Sequence, residues 1–379
     1  MSHGRTAAAA GDRGLRVAGA ELRAWLACDW FVKYTAGLAQ GLAENDCEAT
    51  LLTRDHDQEF GDEAGAMSSF VAANAGNVRH LELRGRVREV AGLRETARLA
   101  QVRRGFAPGI VHLQDSVTND LRLALASGLP RARYALTVHD PVPHPGDDVH
   151  GWVLKAVRRA LRRRASLVFV HSGALAGELD GTGDVRAPIE VVPHGAAAAE
   201  FRPPPSDSLL FFGRMSYYKG LDVLLDAMPA VWAERPQVKL TVAGEGEWPE
   251  HPVLADPRVT ARDEHVPESA VAPLYGAATC VVLPYRQASQ SGVGSLAMQH
   301  GRPVIATRVG GLPELVQEDR GRIVPSEDPQ ALATAILEVL STEGLAERLG
   351  RGAAAAVERE IGWKAVAAKT IDAYRRHLL

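Results

Sequence analysis

The chain has 379 residues, 46% of them hydrophobic, and a net charge of −3. That length is too great for one ordinary core and predicts two domains of about 150 residues or more each. The near-neutral charge excludes a global field that would draw the chain to nucleic acid, and no apolar run approaches the ~20 residues that span a membrane. Cys28, Cys47 and Cys280 are odd in number and far apart, which excludes a disulfide framework and predicts reduced thiols in the cytoplasm.

Residues 1–14, rich in Ala, Gly and Arg, lack the apolar segment of a signal peptide and read as a disordered lead-in. Short apolar runs then alternate with helical patterns to the end of the chain, the signature of parallel sheets covered by helices. Strands are predicted near 15–20, 47–53, 110–114, 133–139 and 167–171, with helices near 30–45, 88–104, 118–127, 149–164 and 173–180. The segment 189–208, IEVVPHGAAAAEFRPPPSDS, closes this unit with a strand and opens a Pro-rich connector. A second series follows, with strands near 208–213, 238–243, 258–260, 279–283, 303–307 and 321–324. The fold class is therefore α/β, with two doubly wound, Rossmann-like domains over 15–203 and 204–361. Ligands of such sheets sit beyond the carboxyl ends of the strands, so the cleft between the domains is the expected site.

One helix of the first half crowds Lys155, Arg158, Arg159, Arg162, Arg163 and Arg164 beside an apolar stripe of Val153, Leu154, Val157 and Leu161. Such a helix, near 152–164, is either a solvated face or a weak peripheral contact with an anionic membrane, at about 1 kcal/mol per cation near the surface.

Chemistry concentrates in the second half. In LLFFGRMSYYKGL (209–221) an apolar strand ends in Gly213, and a loop then carries Arg214 and Lys219 into a helix. Arginine offers a planar fork of donors, lysine a compact point charge, and the helix start adds amide dipoles; the set suits a diphosphate. The alternative is an ordinary solvated pair, which the scarcity of lysine, six in the whole chain, makes less economical. TVAGEGEW (241–248) runs from a strand into Gly244, Glu245 and Gly246. In VVLPYRQASQSGVGSLAMQHG (281–301), Ser289, Ser291 and the amides around Gly292 either hold a phosphate at a helix start or simply cap the helix. In PVIATRVGGLPELV (303–316), Gly310-Gly311 lets backbone approach a ligand, and Glu314 either accepts a hydroxyl or occupies a helix's first turn.

Together with HSGALAGEL (171–179), VVPHGAAAAEFRP (191–203) and VPESAVAPLYGAATCVVLPY (266–285), these segments make the chain resemble the GT-B-fold glycosyltransferases of family 4. AGLAQGLAENDCEATLLTRD (36–55), VHLQD (111–115) and YALTVHD (134–140) fit the family more loosely. The resemblance implies a retaining enzyme whose nucleotide-sugar donor, UDP- or GDP-linked, binds mainly to the C-terminal domain and gives its sugar to a hydroxyl acceptor. It implies that Arg214 and Lys219 grip the donor diphosphate and that His139, at a strand end facing the cleft, contacts the donor sugar. For His139 a purely structural role is the alternative. Gly213, Glu245, Ser289, Gln290, Ser291 and Gly292 then line the donor, Val266 and Pro267 lie in the loop that reads the nucleobase through its backbone, and Glu314 plays a supporting part. A C-terminal helix within 362–379 crosses back to brace the first domain. The nucleotide-sugar is a substrate, and neither a cofactor nor a metal is required.

Two departures stand out. The family's pair of glutamates falls on Ala288 and Leu296, leaving no carboxylate near the sugar or the ribose, and the Gly-Gly turn before the first helix falls on Asp29-Trp30. Trp30 then either reshapes the acceptor pocket or packs as a core residue. A sugar-nucleotide epimerase of the same fold and a non-catalytic nucleotide-sugar binder remain as rivals, and fold alone does not separate them.

Overall fold

The computed structural model describes residues 22–55, 58–61, 64–85, 89–142 and 152–379. Among them, thirteen strands form two sheets. The first contains β1 (Leu22–Cys28), β2 (Cys47–Arg54), β3 (Arg79–Leu83), β4 (Ile110–Gln114), β5 (Ala135–Thr137), β6 (Leu167–Val170) and β7 (Ile189–Val191). The second contains β8 (Ser208–Phe212), β9 (Lys239–Ala243), β10 (Val259–Arg262), β11 (Cys280–Leu283), β12 (Val304–Thr307) and β13 (Gly321–Val324). Their orders are β3-β2-β1-β4-β5-β6-β7 and β10-β9-β8-β11-β12-β13. Neighbours pair in parallel, β1 with β2 and β4, and β11 with β8 and β12. Two doubly wound α/β domains are thus present, as expected from the sequence.

The apolar runs explain the order of burial. β11, CVVL, is buried along its whole length, as a central parallel strand covered on both faces must be. The strand expected near 15–20 and the lead-in over 1–14 lie outside the described residues, and the first strand described is Leu22–Cys28, whose AWLAC half is wholly buried. Two elements escape the periodicity. The edge strand β3, RHLEL, alternates charge with apolar residues, and the short helix Ala66–Asn74 buries only Met67 and Val71.

Each sheet is covered on both faces by helices. One face of the first sheet packs on the helix Val32–Ala43 and on the last helix, Trp363–His377, which supplies Val366, Ala367, Ile371, Ala373 and Tyr374 to that core. The end of the chain thus completes the first sheet although it follows the second. The connections leave in opposite directions between β1 and β4 and between β8 and β11, and those two switch points open crevices at the strands' carboxyl ends.

Candidate active site at the two switch points

At the second sheet's switch point, Gly213 follows β8 with φ 107°, a conformation that side chains resist, and its N–H donates to the Ala243 carbonyl at 3.0 Å. A Cβ on Gly213 would lie 2.7 Å from Lys219 Nζ, so the glycine leaves the passage through which the ammonium reaches the strand end. Lys219 is buried in the turn Tyr217–Lys219, with Nζ 5.8 Å from the Tyr285 ring centroid beyond β11. The Arg286 N–H donates to the Tyr218 carbonyl at 2.7 Å and ties the loops after β8 and β11 together. Arg214 is exposed at the rim. The Met215 N–H donates to the Glu245 carbonyl at 2.7 Å, fixing the Arg214 loop against the 244–246 turn. The Glu245 carboxylate is exposed, 3.8 Å from His265 Nδ1. Val266 is half-buried, and exposed Pro267 opens the helix Glu268–Gly276.

The 288–292 loop rests on Gly310, whose φ is 49° and where any Cβ would overlap the Ala288 carbonyl. Ser291 Oγ accepts the Gly294 N–H at 3.0 Å and so caps the helix Gly292–Gln299. Ser289 is buried beside it, and Gln290 Oε1 is a buried acceptor with no hydrogen-bond partner. The direction of a Cβ on Gly292 points at the His194 ring of the first domain, 3.6 Å from Cε1 and 3.7 Å from Nε2.

Across the cleft, the β1–β4 switch point is bound together by Ser116. Its Oγ accepts the Asp29 and Trp30 N–H groups at 3.3 and 3.1 Å and donates to the Trp30 carbonyl at 2.9 Å. Asp29 is buried and lies 3.4 Å from the Arg54 guanidinium. Trp30 is 39% exposed, which rules out the core role. The left-handed turn falls one residue later, on Phe31, with φ 68° and ψ 35°. Such a conformation costs a bulky residue about 1–3 kcal/mol and persists only where neighbours impose it. Here Thr35 Oγ1 donates to the Phe31 carbonyl at 2.7 Å, and the Glu59 carboxylate accepts the Val32 and Lys33 N–H groups at 2.7 and 3.1 Å.

The Phe31 ring stacks on His139, with centroids 3.7 Å apart and planes 17° apart. His139 is 1% exposed. Its Nε2 lies 2.8 Å from Gln114 Oε1 and its Nδ1 lies 3.1 Å from His171 Nε2. Phe31 thus covers one face of the His139 ring, and both ring nitrogens are engaged within its own domain. The protons can be placed by elimination. His171 Nδ1 faces the Val192 carbonyl at 3.0 Å and must donate, so its Nε2 accepts from His139 Nδ1–H. His139 Nε2 is then an acceptor and needs a donor from Gln114, whose buried amide nitrogen is otherwise unpartnered; the side-chain amide satisfies both when it turns its NH2 to the ring.

His139 belongs to a larger buried group. His112 contacts the Tyr374 hydroxyl at 2.5 Å and Thr137 Oγ1 at 2.7 Å, while Tyr34 lies between His139, His171 and His194 at centroid distances of 4.9, 5.0 and 5.2 Å. Burial, reinforced by the neighbouring histidines, holds the His139 pKa well below its ordinary value. Burial likewise lowers His112 and His194 to about 3 and His171 to about 4, so all four rings are neutral at pH 7.

Glu314 lies in the first turn of the helix Leu312–Leu315, the second of the two places the sequence allowed it. Its two oxygens accept the N–H groups of Gly173 and Ala174, in the first turn of the helix Gly173–Gly181, instead of opening toward a donor. A second bridge between the domains joins Lys33 Nζ to the Glu268 carboxylate at 2.7 Å. On the basic helix, Trp152–Arg164, Trp152 is 81% exposed, but Arg162 leaves the cationic face: it is buried, donates to the Pro141 and Asp140 carbonyls and lies 3.7 Å from Asp115. Phe31, Glu59, Ser116 and His194 were not singled out by the sequence. His194 alone carried a signal, being inside the VVPHGA segment.

Comparison with known proteins agrees in both halves. Residues 32–195 match the glycosyl transferase 4-like domain, and residues 206–342 match the glycosyl transferases group 1 family. A D-inositol 3-phosphate glycosyltransferase from Segniliparus rotundus is 32% identical over 213 residues, 50% of this chain and 47% of its own length. Glycogen synthase from Mycobacterium tuberculosis is 28% identical over 298 residues, 72% of this chain and 69% of its own. The chain spans about half the length of the first of these relatives. In three dimensions the chain is similar to sucrose-phosphate synthase from Thermosynechococcus elongatus, with TM-score 0.71, 20% identity, and coverage of 94% of this chain and 98% of that one. It is also similar to Anabaena HepE in complex with UDP and glucose, with TM-score 0.69, 18% identity, and coverage of 94% and 100%. At such identities the likeness speaks to the fold.

Proposed function

Because the chain belongs to the GT-B glycosyltransferases of family 4, its two halves each matching a glycosyltransferase domain, we propose that it moves a sugar from a nucleoside diphosphate donor to a hydroxyl acceptor with retention of configuration. The observation that carries the reading is Lys219, whose ammonium is held at the β8–β11 switch point by the opening at Gly213. A cation fixed there stabilises the negative charge that develops on the departing diphosphate more than it stabilises the intact donor. Arg214 at the rim adds a planar fork of donors to the same phosphates. As the glycosidic bond to the diphosphate breaks, the acceptor oxygen bonds to the anomeric carbon and its proton passes to a departing phosphate oxygen. Ala288 and Leu296 supply no carboxylate, so the protein contributes no covalent nucleophile at those positions. The reading needs no metal.

UDP or GDP is the proposed carrier. Among the described residues no helix is long and apolar enough to cross a membrane. We place the activity in the cytoplasm, with Trp152 and the exposed cations Lys155, Arg159 and Arg163 offering at most a peripheral contact with anionic lipid.

A thermal-shift screen against UDP, GDP and ADP tests the assignment, since a ligand at 100 times its Kd adds about 2.7 kcal/mol of stability. One of the diphosphates should raise the midpoint in the wild type and fail to do so in Lys219→Ala. Absence of any shift overturns the donor reading. Conversion of a sugar nucleotide in the absence of acceptor, giving an isomeric sugar, would instead establish an epimerase.

A further inference from the structure

Lys219 stands in a turn of three residues, Tyr217–Lys219, which by itself has little to hold a flexible four-carbon cation at one point. Tyr217 is 68% exposed, so that end of the turn has no apolar anchor. The three residues that leave β11 hold the turn instead. The Pro284 carbonyl lies against Gly220, where a Cβ would be 2.1 Å from its oxygen. The Tyr285 ring meets the Tyr218 ring edge to face, with centroids 6.2 Å apart, and lies 5.8 Å from Lys219 Nζ. Arg286 closes the other end. Its backbone N–H donates to the Tyr218 carbonyl at 2.7 Å, and its Nη1 donates to the Tyr217 carbonyl at 2.9 Å. The same guanidinium donates to both oxygens of Asp222, at 2.8 and 2.7 Å, and from Nε to the Glu327 carboxylate at 2.7 Å. It also lies over the Tyr217 ring, 4.2 Å from the centroid.

We infer that Arg286 is the positioning residue for Lys219, fixing the turn that carries it and so setting the reach of its ammonium toward the donor diphosphate. The inference rests on the donor reading above and adds to it what keeps the cation in place. Only a planar fork joins a carbonyl of the lysine turn, the first turn of the helix Leu221–Glu234 and the turn after β13 at once; a lysine ammonium is a single point. The Arg286 side chain is 14% exposed, so these contacts are shielded from the water that weakens a surface pair. Asp222 gives a second reason for the contact. Its carboxylate sits at the helix start beside Lys219, where its charge would repel an incoming diphosphate, and the Arg286 hydrogen bonds hold its carboxyl below the usual range.

The test is a double-mutant cycle in diphosphate affinity. UDP, GDP and ADP are titrated calorimetrically into the wild type, Arg286→Ala, Lys219→Ala and the double variant, with melting midpoints measured alongside. Arg286→Ala should raise the Kd of the diphosphate that binds by about 10-fold in the wild-type background and by less than about 2-fold once Lys219 is gone, because a residue that acts through another has no separate effect in its absence. A residue that served the fold alone, or that met the ligand itself, would cost the same factor in both backgrounds. Should Arg286→Ala not fold, Arg286→Lys keeps the charge without the fork and carries the same expectation. Should Lys219→Ala bind too weakly to titrate, the six lysines of the chain, labelled at Cε, give the answer without ligand: the Lys219 resonance, identified by its loss in Lys219→Ala, should move in Arg286→Ala as the ammonium leaves its fixed distance from the Tyr285 ring, while the other five stay. Unchanged affinity in Arg286→Ala, equal factors in both backgrounds, or an unmoved Lys219 resonance overturns the inference and leaves the donor reading in place. A wild type that binds none of the three diphosphates overturns both.

Discussion

Glu314 of the second domain accepts the Gly173 N–H of the first at 2.9 Å, and its other oxygen accepts the Ala174 N–H at 3.1 Å. A single carboxylate thus sits on the positive end of a helix dipole across the cleft, where it replaces any other anion that the helix start would attract. Ser172 Oγ already takes the Leu175 N–H at 3.2 Å, so the first turn of that helix is closed by two side chains from two domains.

Removing this latch should loosen the domains. Charge-assisted hydrogen bonds contribute about 1.5–3 kcal/mol each, and the Lys33–Glu268 bridge remains in the variant. Glu314→Ala is expected to broaden the small-angle scattering envelope and to lower turnover about 10-fold, with Glu314→Gln between it and the wild type. Scattering and turnover both indistinguishable from the wild type would show that the contact does not hold the cleft.

The two cations should separate by position. Lys219→Ala and Arg214→Ala are each expected to lower turnover about 10²-fold, as loss of a charge-assisted contact implies. Buried Lys219 should also raise the apparent Kd for the diphosphate in equilibrium titrations. Near wild-type rates in both variants would be incompatible with the proposed diphosphate site.

Gly213 and Gly310 make different kinds of room. A Cβ on Gly213 meets the side-chain ends of Lys219 at 2.7 Å and Val293 at 3.3 Å, at a φ of 107° that strains any side chain, so Gly213→Ala should displace the ammonium and weaken diphosphate binding with a stability loss of about 1–2 kcal/mol. Gly310→Ala meets the Ala288 backbone, which cannot step aside, and should lose about 2 kcal/mol or more. Chemical denaturation of the pair checks the order; a larger loss in Gly213→Ala would contradict it.

Ser291 is expected to act twice. Its cap on Gly294 is worth about 1 kcal/mol, and Ser291→Ala should lose that much in denaturant unfolding. Donor affinity should fall as well if the serine also meets phosphate. Loss of stability with unchanged donor affinity would leave the cap as its whole role.

The buried histidines set an acid limit. Their folded pKa values lie near 3–4 for His112, His194 and His171, against about 6.5 in an unfolded chain, so the unfolded state binds more protons as pH falls through that window. Stability should therefore be full above pH 6.5 and decline toward pH 4, by about 1.4 kcal/mol per pH unit for each histidine. Asp115, raised to about 6 chiefly by burial, has the opposite sign and offsets one of them below pH 6. Unfolding free energies measured between pH 7.5 and 4.5 check this, and a flat profile would refute neutral burial of the group.

The strand positions of the second half and the Gly213–Lys219 motif were legible in the sequence because both are local: apolar runs of four or five residues mark buried parallel strands, and a glycine between a strand and a cation marks a tight exit. The placing of His139, Phe31 and Glu314 was not. His139 reads as a strand-end histidine until Phe31 is stacked on it, and Phe31 reads as an ordinary helix-start aromatic until Ser116 and Glu59, 86 and 27 residues from the backbone groups they hold, impose its left-handed turn. Glu314 finds its partners 140 and 141 residues away, and Tyr374 reaches His112 across 262. Local propensity fixes which segments become strands and helices, whereas hydrogen bonds and ring contacts between distant segments decide which side chains face a ligand and which are spent on the protein itself.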